Sequence, residues 1–179
     1  MKKIIVKVKI RNREEFEKVV EEKTGEDFSS VYWLHDRVYV PREYRRGMNY
    51  PTVTVRTEMR AVDRPAKYIL RLKRHIEDSG VDIVDETGVK DYVESVEIVR
   101  QLGLELRNEV SMRRQELKTE GYIIYIDKVE GLNGYYAKCE LDVKDGDEIS
   151  KRRDEMMKLL EEYGAGDVVV KSYSEQLIK

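Results

Sequence analysis

The chain predicts an α+β fold: an eight-stranded antiparallel β-barrel, forming a tunnel padded on its outside by helices, built as a single domain over residues 1–179. Three observations carry that expectation. Several segments alternate strictly between apolar and ionic residues. The clearest is Gly134–Val143, where Tyr135, Ala137, Cys139, Leu141 and Val143 interleave with Tyr136, Lys138, Glu140 and Asp142. Successive side chains of a strand point to opposite faces, so this period of two makes one apolar and one charged face. Amphipathic helix patterns interrupt the alternating segments, and their apolar stripes need a sheet to cover. About eight strands suffice to close a barrel, and closure removes edges that would otherwise invite aggregation. Helices cannot all enter such a barrel, so they pad its outside and leave the ionic faces inward.

Taken in order, Lys2–Arg11 is a strand, with Ile4, Val6, Val8 and Ile10 alternating with Ile5, Lys7, Lys9 and Arg11. Asn12 caps a helix, Glu15 completes the capping box, Phe16, Val19 and Val20 form the buried stripe, and Gly25 ends it. Ser29–Val40 is rich in aromatic and β-branched residues and reads as a strand pair or a bent hairpin around His35-Asp36. Pro41–Pro51 is a basic loop. Thr52–Arg60 and Lys67–Ile76 are strands, with Arg56 and Glu58 on one face of the first and Arg71, Lys73 and His75 on one face of the second. Val81–Val84 is a short strand. Gly88–Leu102 is helical by the spacing of Val89, Val93, Val96 and Leu102, with Gly103 as its stop. Strands follow at Leu106–Leu117, Tyr122–Val129 and Tyr135–Val143. A helix opening at Asp147 carries Ile149, Met156, Leu159, Leu160 and Tyr163. Val168–Val170 is a last short strand, and Ser172 with Glu175 forms a capping box for a terminal helix.

Composition bounds the function. Charged residues make up 39% of the chain, against roughly 25% in an average globular protein. Both signs are mixed throughout, which argues against a disordered tail, and such charge richness with few Pro and Cys is compatible with heat adaptation. A formal net charge of −2 gives no global field that would recruit nucleic acid or an anionic membrane. The single Cys139 lies on an apolar strand face and reads as a buried, unreactive thiol. One Cys excludes an internal disulfide and a Cys-rich zinc site, and fits a reducing cytosol. No apolar run approaches the ~20 residues of a membrane span, and no signal-peptide core is visible. The expectation is a soluble, cytoplasmic protein.

The ionic strand faces hold the chemistry. The inward set is Lys7, Lys9, Arg11, Arg56, Arg71, Lys73, Arg114 and Lys138, against Glu58, Asp127 and Glu140, eight cations to three anions. Arg binds phosphate through paired hydrogen bonds and Lys as a point charge, so a basic lumen would hold a phosphorylated anion. The bland counterpart is a half-wet sheet with solvated charges. His35 and His75 lack metal-ligand spacing. Trp33 suits a core position, Arg42–Arg46 suits solvated surface, and neither a Gly-rich phosphate loop nor a Ser/His/Asp arrangement is visible.

Several runs resemble the CYTH family of triphosphate tunnel enzymes, which includes class IV adenylate cyclases and thiamine triphosphatases. Arg113-Arg114 is followed by Gly121–Leu132 and then by Gly134–Glu140, similar to the family's Lys-x-Arg, Leu-Asp-x-Val, Gly-Leu-Gly and aromatic-x-Glu-x-Glu run. Val53–Arg56 resembles Leu-Arg-x-Arg, Ile69–Lys73 resembles Leu-Thr-x-Lys, and Ser172–Leu177 resembles the terminal Ser-Tyr-x-x-Leu helix. The family's Glu-x-Glu-x-Lys signature is degenerate here, its register falling on Ile5, Lys7 and Lys9, and the later Glu pair is Lys138 and Glu140. The resemblance implies an eight-stranded tunnel in which basic residues grip a triphosphate and acidic ones hold Mg²⁺ or Mn²⁺. Carried over, it assigns the anion to Lys9, Arg56, Lys73 and Arg114 and any metal to Asp127 and Glu140; the ionic strand faces add Lys7, Arg71 and Lys138 to the anion set and Glu58 to the metal set. It leaves the catalytic residues unassigned. The implied ligand is a triphosphate-containing small molecule or polyphosphate, with weak metal-dependent triphosphate hydrolysis, adenylate cyclase-like activity and a non-catalytic sensor or interaction role as the open alternatives. Membrane and nucleic acid are not expected partners, and a homodimer is an open option.

Overall fold

The computed structural model describes residues 2–45, 50–76, 81–143 and 148–178. Among them the elements run β1 (Lys2–Ile10), α1 (Arg13–Thr24), β2 (Tyr32–Pro41), β3 (Thr52–Met59), β4 (Lys67–Ile76), β5 (Val81–Val89), α2 (Tyr92–Gln101), β6 (Leu104–Lys118), β7 (Ile123–Val129), β8 (Tyr135–Asp142), α3 (Ile149–Glu162) and α4 (Tyr173–Leu177). The strands close into a barrel in the order β1-β5-β4-β3-β2-β6-β7-β8, every pairing antiparallel. This is the expected α+β tunnel.

The period-two patterns explain the layering. β1 sends Ile4, Val6, Val8 and Ile10 outward, where they join Phe16 and Val20 of α1, Met156 and Leu160 of α3, and Ala137 and Cys139 of β8 in one core. α1 starts where Asn12 Oδ1 accepts from the Glu15 amide and stops at Gly25, whose φ of 72° suits a residue without Cβ. A smaller core lies under α2, with Val99 against Tyr39 and Val55. Each such side chain contributes about 1.5–3 kcal/mol by leaving water.

Several local readings need correction. β2 runs straight through His35-Asp36 because the Asp36 carboxylate is satisfied by Arg56, its Cα partner on β3, and needs no turn to reach water. β5 continues to Val89, pairing Gly88 with Ile69, so the helix expected from Gly88 starts only at Tyr92. Asp91 is its cap, accepting from the Glu94 amide at 2.9 Å. The strand expected at Val168–Val170 is a single bridge between Val8 and Val168. The expected helix start at Asp147 lies outside the described residues.

Two departures shape the interior. A third apolar cluster fills part of the lumen, with Leu34, Val38, Val110, Met112, Val129 and Tyr136 packed together. α4 does not pad the outside. Its capping box forms as expected, but Tyr173 enters the barrel and joins that inner cluster with Leu177.

Candidate functional site

Inside the barrel lies a cavity of about 80 Å³. Its charged lining comes from β1 (Lys7), β2 (Asp36), β3 (Arg56), β4 (Arg71 and Lys73), β5 (Asp82) and β8 (Lys138), with Ile5, Val84 and Met112 as apolar wall and Ser172–Ser174 at one side. Of the residues expected to bind an anion, the structure brings Lys7, Arg56, Arg71, Lys73 and Lys138 together here. Arg114 sits behind the wall, buried against Asp127. Lys9 and Arg11 are exposed and do not line the cavity. β1 reaches the barrel end there, and Lys9 lies against Gly134 while its backbone pairs with Gly166 and Asp167.

The expected excess of eight cations over three anions does not survive. Strand register adds four inward carboxylates that the sequence reading passed over, Asp36, Asp82, Glu86 and Glu116, and one further cation, Lys3. Asp36 holds Arg56 through two bonds of 2.7 Å. Asp127 holds Arg114 at 2.6 and 2.8 Å, accepts from the Tyr173 hydroxyl at 2.9 Å and faces Lys138 at 3.3 Å. Lys3 bridges Glu86 and Glu140 at 2.6 and 2.7 Å, and Arg71 adds to Glu86 at 3.1 Å. Lys73 and His75 meet Asp82 at 3.3 and 3.0 Å. Glu58 and Glu116 share Arg60, and Tyr32 donates to Glu116 at 2.8 Å.

These pairs set the titration of the lumen. Burial alone would raise the carboxyl groups of Asp36, Asp82 and Asp127, but Arg56, Lys73 and Arg114 beside them outweigh it and hold all three below the usual range. Burial is likewise opposed at Glu116, where Arg60 and Tyr32 bring the carboxyl down to about 2. Two lysines go the other way. Burial, with Lys73 as a like-charged neighbour, brings Lys7 down to about 7. Burial also pulls Lys138 well below its ordinary value, because Asp127 does not offset it against Arg114 and Arg56. Lys7 and Lys138 are Cα partners on β1 and β8, and both ammonium groups lie over the Tyr173 ring, at 4.7 and 4.3 Å. Among the described residues Lys7 has no carboxylate partner, its Nζ donating to the Lys171 carbonyl. In formal charge the surplus cations are therefore Lys7 and, because Asp127 is already held by Arg114, Lys138, and burial drives both toward the neutral form until a counter-charge arrives.

The residues expected to hold a metal do not converge. Asp127 is fully buried and wholly engaged with internal donors, Glu140 accepts from Lys3 and Tyr125, and Glu58 pairs with Arg60. Among the described residues no three His, Cys, Asp or Glu side chains form a group that could hold a metal ion. Cys139 is buried on the outer face, its thiol pushed up to about 12 first by burial and then by Glu140.

The chain belongs to the CYTH domain family, whose pattern matches residues 44–173. Solved structures agree in fold. The PH1819 protein of Pyrococcus horikoshii OT3 is 23% identical with a TM-score of 0.81, covering 98% of each chain. A Vibrio parahaemolyticus protein named as a candidate adenylate cyclase is 14% identical with a TM-score of 0.79, over 99% of this chain and 98% of that one. The Hippeastrum protein HpAC1, named as a candidate adenylyl cyclase with a dominant triphosphatase activity, is 13% identical with a TM-score of 0.62, over 98% and 94%. No curated protein matches the chain. No helix among the described residues is long and apolar enough to cross a membrane.

Proposed function

We propose that the barrel binds a phosphorylated polyanion, a triphosphate or polyphosphate, in its lumen, and that it captures this ligand with little or no turnover. One observation carries the reading: Lys7, buried and without a carboxylate partner among the described residues, lines the same cavity as Lys138, Lys73 and Arg71. A desolvated ammonium is costly unless a counter-charge is supplied, and an entering oxyanion supplies it. Family membership favours a phosphate ligand, and the triphosphatase activity named for the Hippeastrum relative points the same way. Slow turnover follows from the carboxylates. Phosphoryl transfer in this chemistry relies on a cation that bridges the phosphates and positions water, and Asp127 and Glu140 are tied to Arg114 and Lys3 instead. Calorimetric titration with tripolyphosphate at low ionic strength, run with and without Mg²⁺, tests the reading. Heat of binding in at least one condition, lost in Lys7→Met, is the expected result. No binding in either condition overturns it.

A further inference from the structure

Resting on that polyanion reading, we propose that the lumen takes its ligand free of divalent metal, the paired ammonium groups of Lys7 and Lys138 standing where a bridging cation would act, so that Mg²⁺ weakens binding. The donor set argues for this. Mg²⁺ and Mn²⁺ are hard cations that need several oxygen ligands with open lone pairs. Both oxygens of Asp127 are taken, Oδ1 by Arg114 and Oδ2 by Arg114, Tyr173 and Lys138. Glu140 Oε1 accepts from Lys3 and from Tyr125. The two cavity carboxylates are no freer, Asp36 being clamped by Arg56 and Asp82 by Lys73 and His75. A metal would have to break buried pairs whose orphaned cations then stay in a dry interior.

The electrostatics point the same way. Lys7 and Lys138 face each other across the β1–β8 ladder and share the Tyr173 ring. An entering polyphosphate supplies the counter-charge that favours the protonated form of both lysines, and the two like charges then hold its unchelated oxygens and repel a divalent cation. Mg²⁺ in solution binds free tripolyphosphate and cancels part of its charge, which removes the attraction this pair exerts. A site built on ammonium groups therefore competes with Mg²⁺ for the ligand, where a carboxylate site would recruit the two together.

The test is a tripolyphosphate titration of the full chain at constant ionic strength, first with EDTA and then with excess Mg²⁺. Binding in EDTA that weakens at least about tenfold in Mg²⁺ is expected. Binding that requires Mg²⁺, or tightens with it, overturns this inference and leaves the polyanion reading standing, whereas no binding in either buffer overturns both. A second measurement titrates the protein alone with Mn²⁺ and follows the free-ion electron paramagnetic resonance signal. The signal is expected to fall no faster than in buffer, and its saturable loss overturns the inference. The triple variant Ile5→Glu, Lys7→Glu, Lys138→Glu should reverse the sign of the Mg²⁺ effect, and a triple variant still weakened by Mg²⁺ overturns the assignment to these residues. If that variant does not fold, Lys138→Met serves: its affinity in EDTA should fall toward its affinity in Mg²⁺, and an unchanged ratio overturns the assignment.

Discussion

A lysine held near neutrality by its surroundings is the most consequential single residue here. The folded protein holds Lys7 at about 7 against an ordinary 10.5. Between those values the unfolded chain binds the extra proton and the native one does not, so this group makes stability rise with pH across that window. Below pH 7 its penalty is fully present. Lys7→Met should therefore raise stability at pH 7 by roughly 1–3 kcal/mol, which for a chain of this length is several degrees in Tm. The gain should shrink toward pH 10, which thermal melts of both proteins in matched buffers will show as a difference that closes with rising pH. Saturating tripolyphosphate at pH 7 should close the same gap from the other side, by stabilising the wild type alone. A pH-independent difference would place the cost of Lys7 in packing, not in charge.

At the scale of elements, α4 is the helix that lends a side chain to the barrel interior. Its five residues are too few to be stable alone, so the helix depends on its cap and on Tyr173 and Leu177 within the inner apolar cluster. Gly131 leaves room for it: φ is +83° there, and a Cβ would lie 2.9 Å from Leu177 Cδ2. Gly131→Ala should cost about 1–2 kcal/mol in backbone strain and loosen α4, seen as faster amide exchange in residues 173–177 with the barrel strands unaffected. Protection unchanged in α4 would show that the cap suffices without the Leu177 contact. None of this was legible in the sequence, which announces the Ser172–Glu175 cap but not where Tyr173 goes. What the sequence did carry was the alternation: β1, β3, β4 and β8 show their two faces plainly, and with them the barrel and five of the cavity cations. The alternation falls short at the strand limits, which the pattern does not mark. Cutting β5 at Val84 leaves Glu86 on no face at all, and bending β2 at Asp36 sends to solvent a carboxylate that belongs opposite Arg56. Carrying the period of two through Leu34, Asp36 and Val38 would have placed it inward. The carboxylates of Asp36, Asp82 and Glu86 turn a basic tunnel into a nearly balanced one whose surplus cations are Lys7 and Lys138.

Considered whole, the molecule is a ring, and a ring must close. β1 pairs with β5 on one side and β8 on the other, and where β5 stops at Val81 the chain near Val168 takes over, through Gly166, Asp167 and Val169. Gly166 is tight against the Lys9 carbonyl, so a side chain there would collide with the β1 backbone. Every neighbour of β1 in the sheet is thus remote in sequence. Folds dominated by such pairings are slow, so refolding from denaturant should take on the order of milliseconds to seconds, and stopped-flow fluorescence of Trp33 can time it. Microsecond folding would mean that β1 is not needed for the cooperative step. The same seam has a consequence for the chain as it is made. Synthesis at about 5–20 residues per second leaves β1 waiting roughly ten seconds for β8 to emerge. Both edges of the strand that carries Ile4, Val6, Val8 and Ile10 stay unpaired until β5 emerges, and the β8 edge stays open for the rest of that interval, so the ribosome-bound intermediate is the form of this protein most in need of a chaperone.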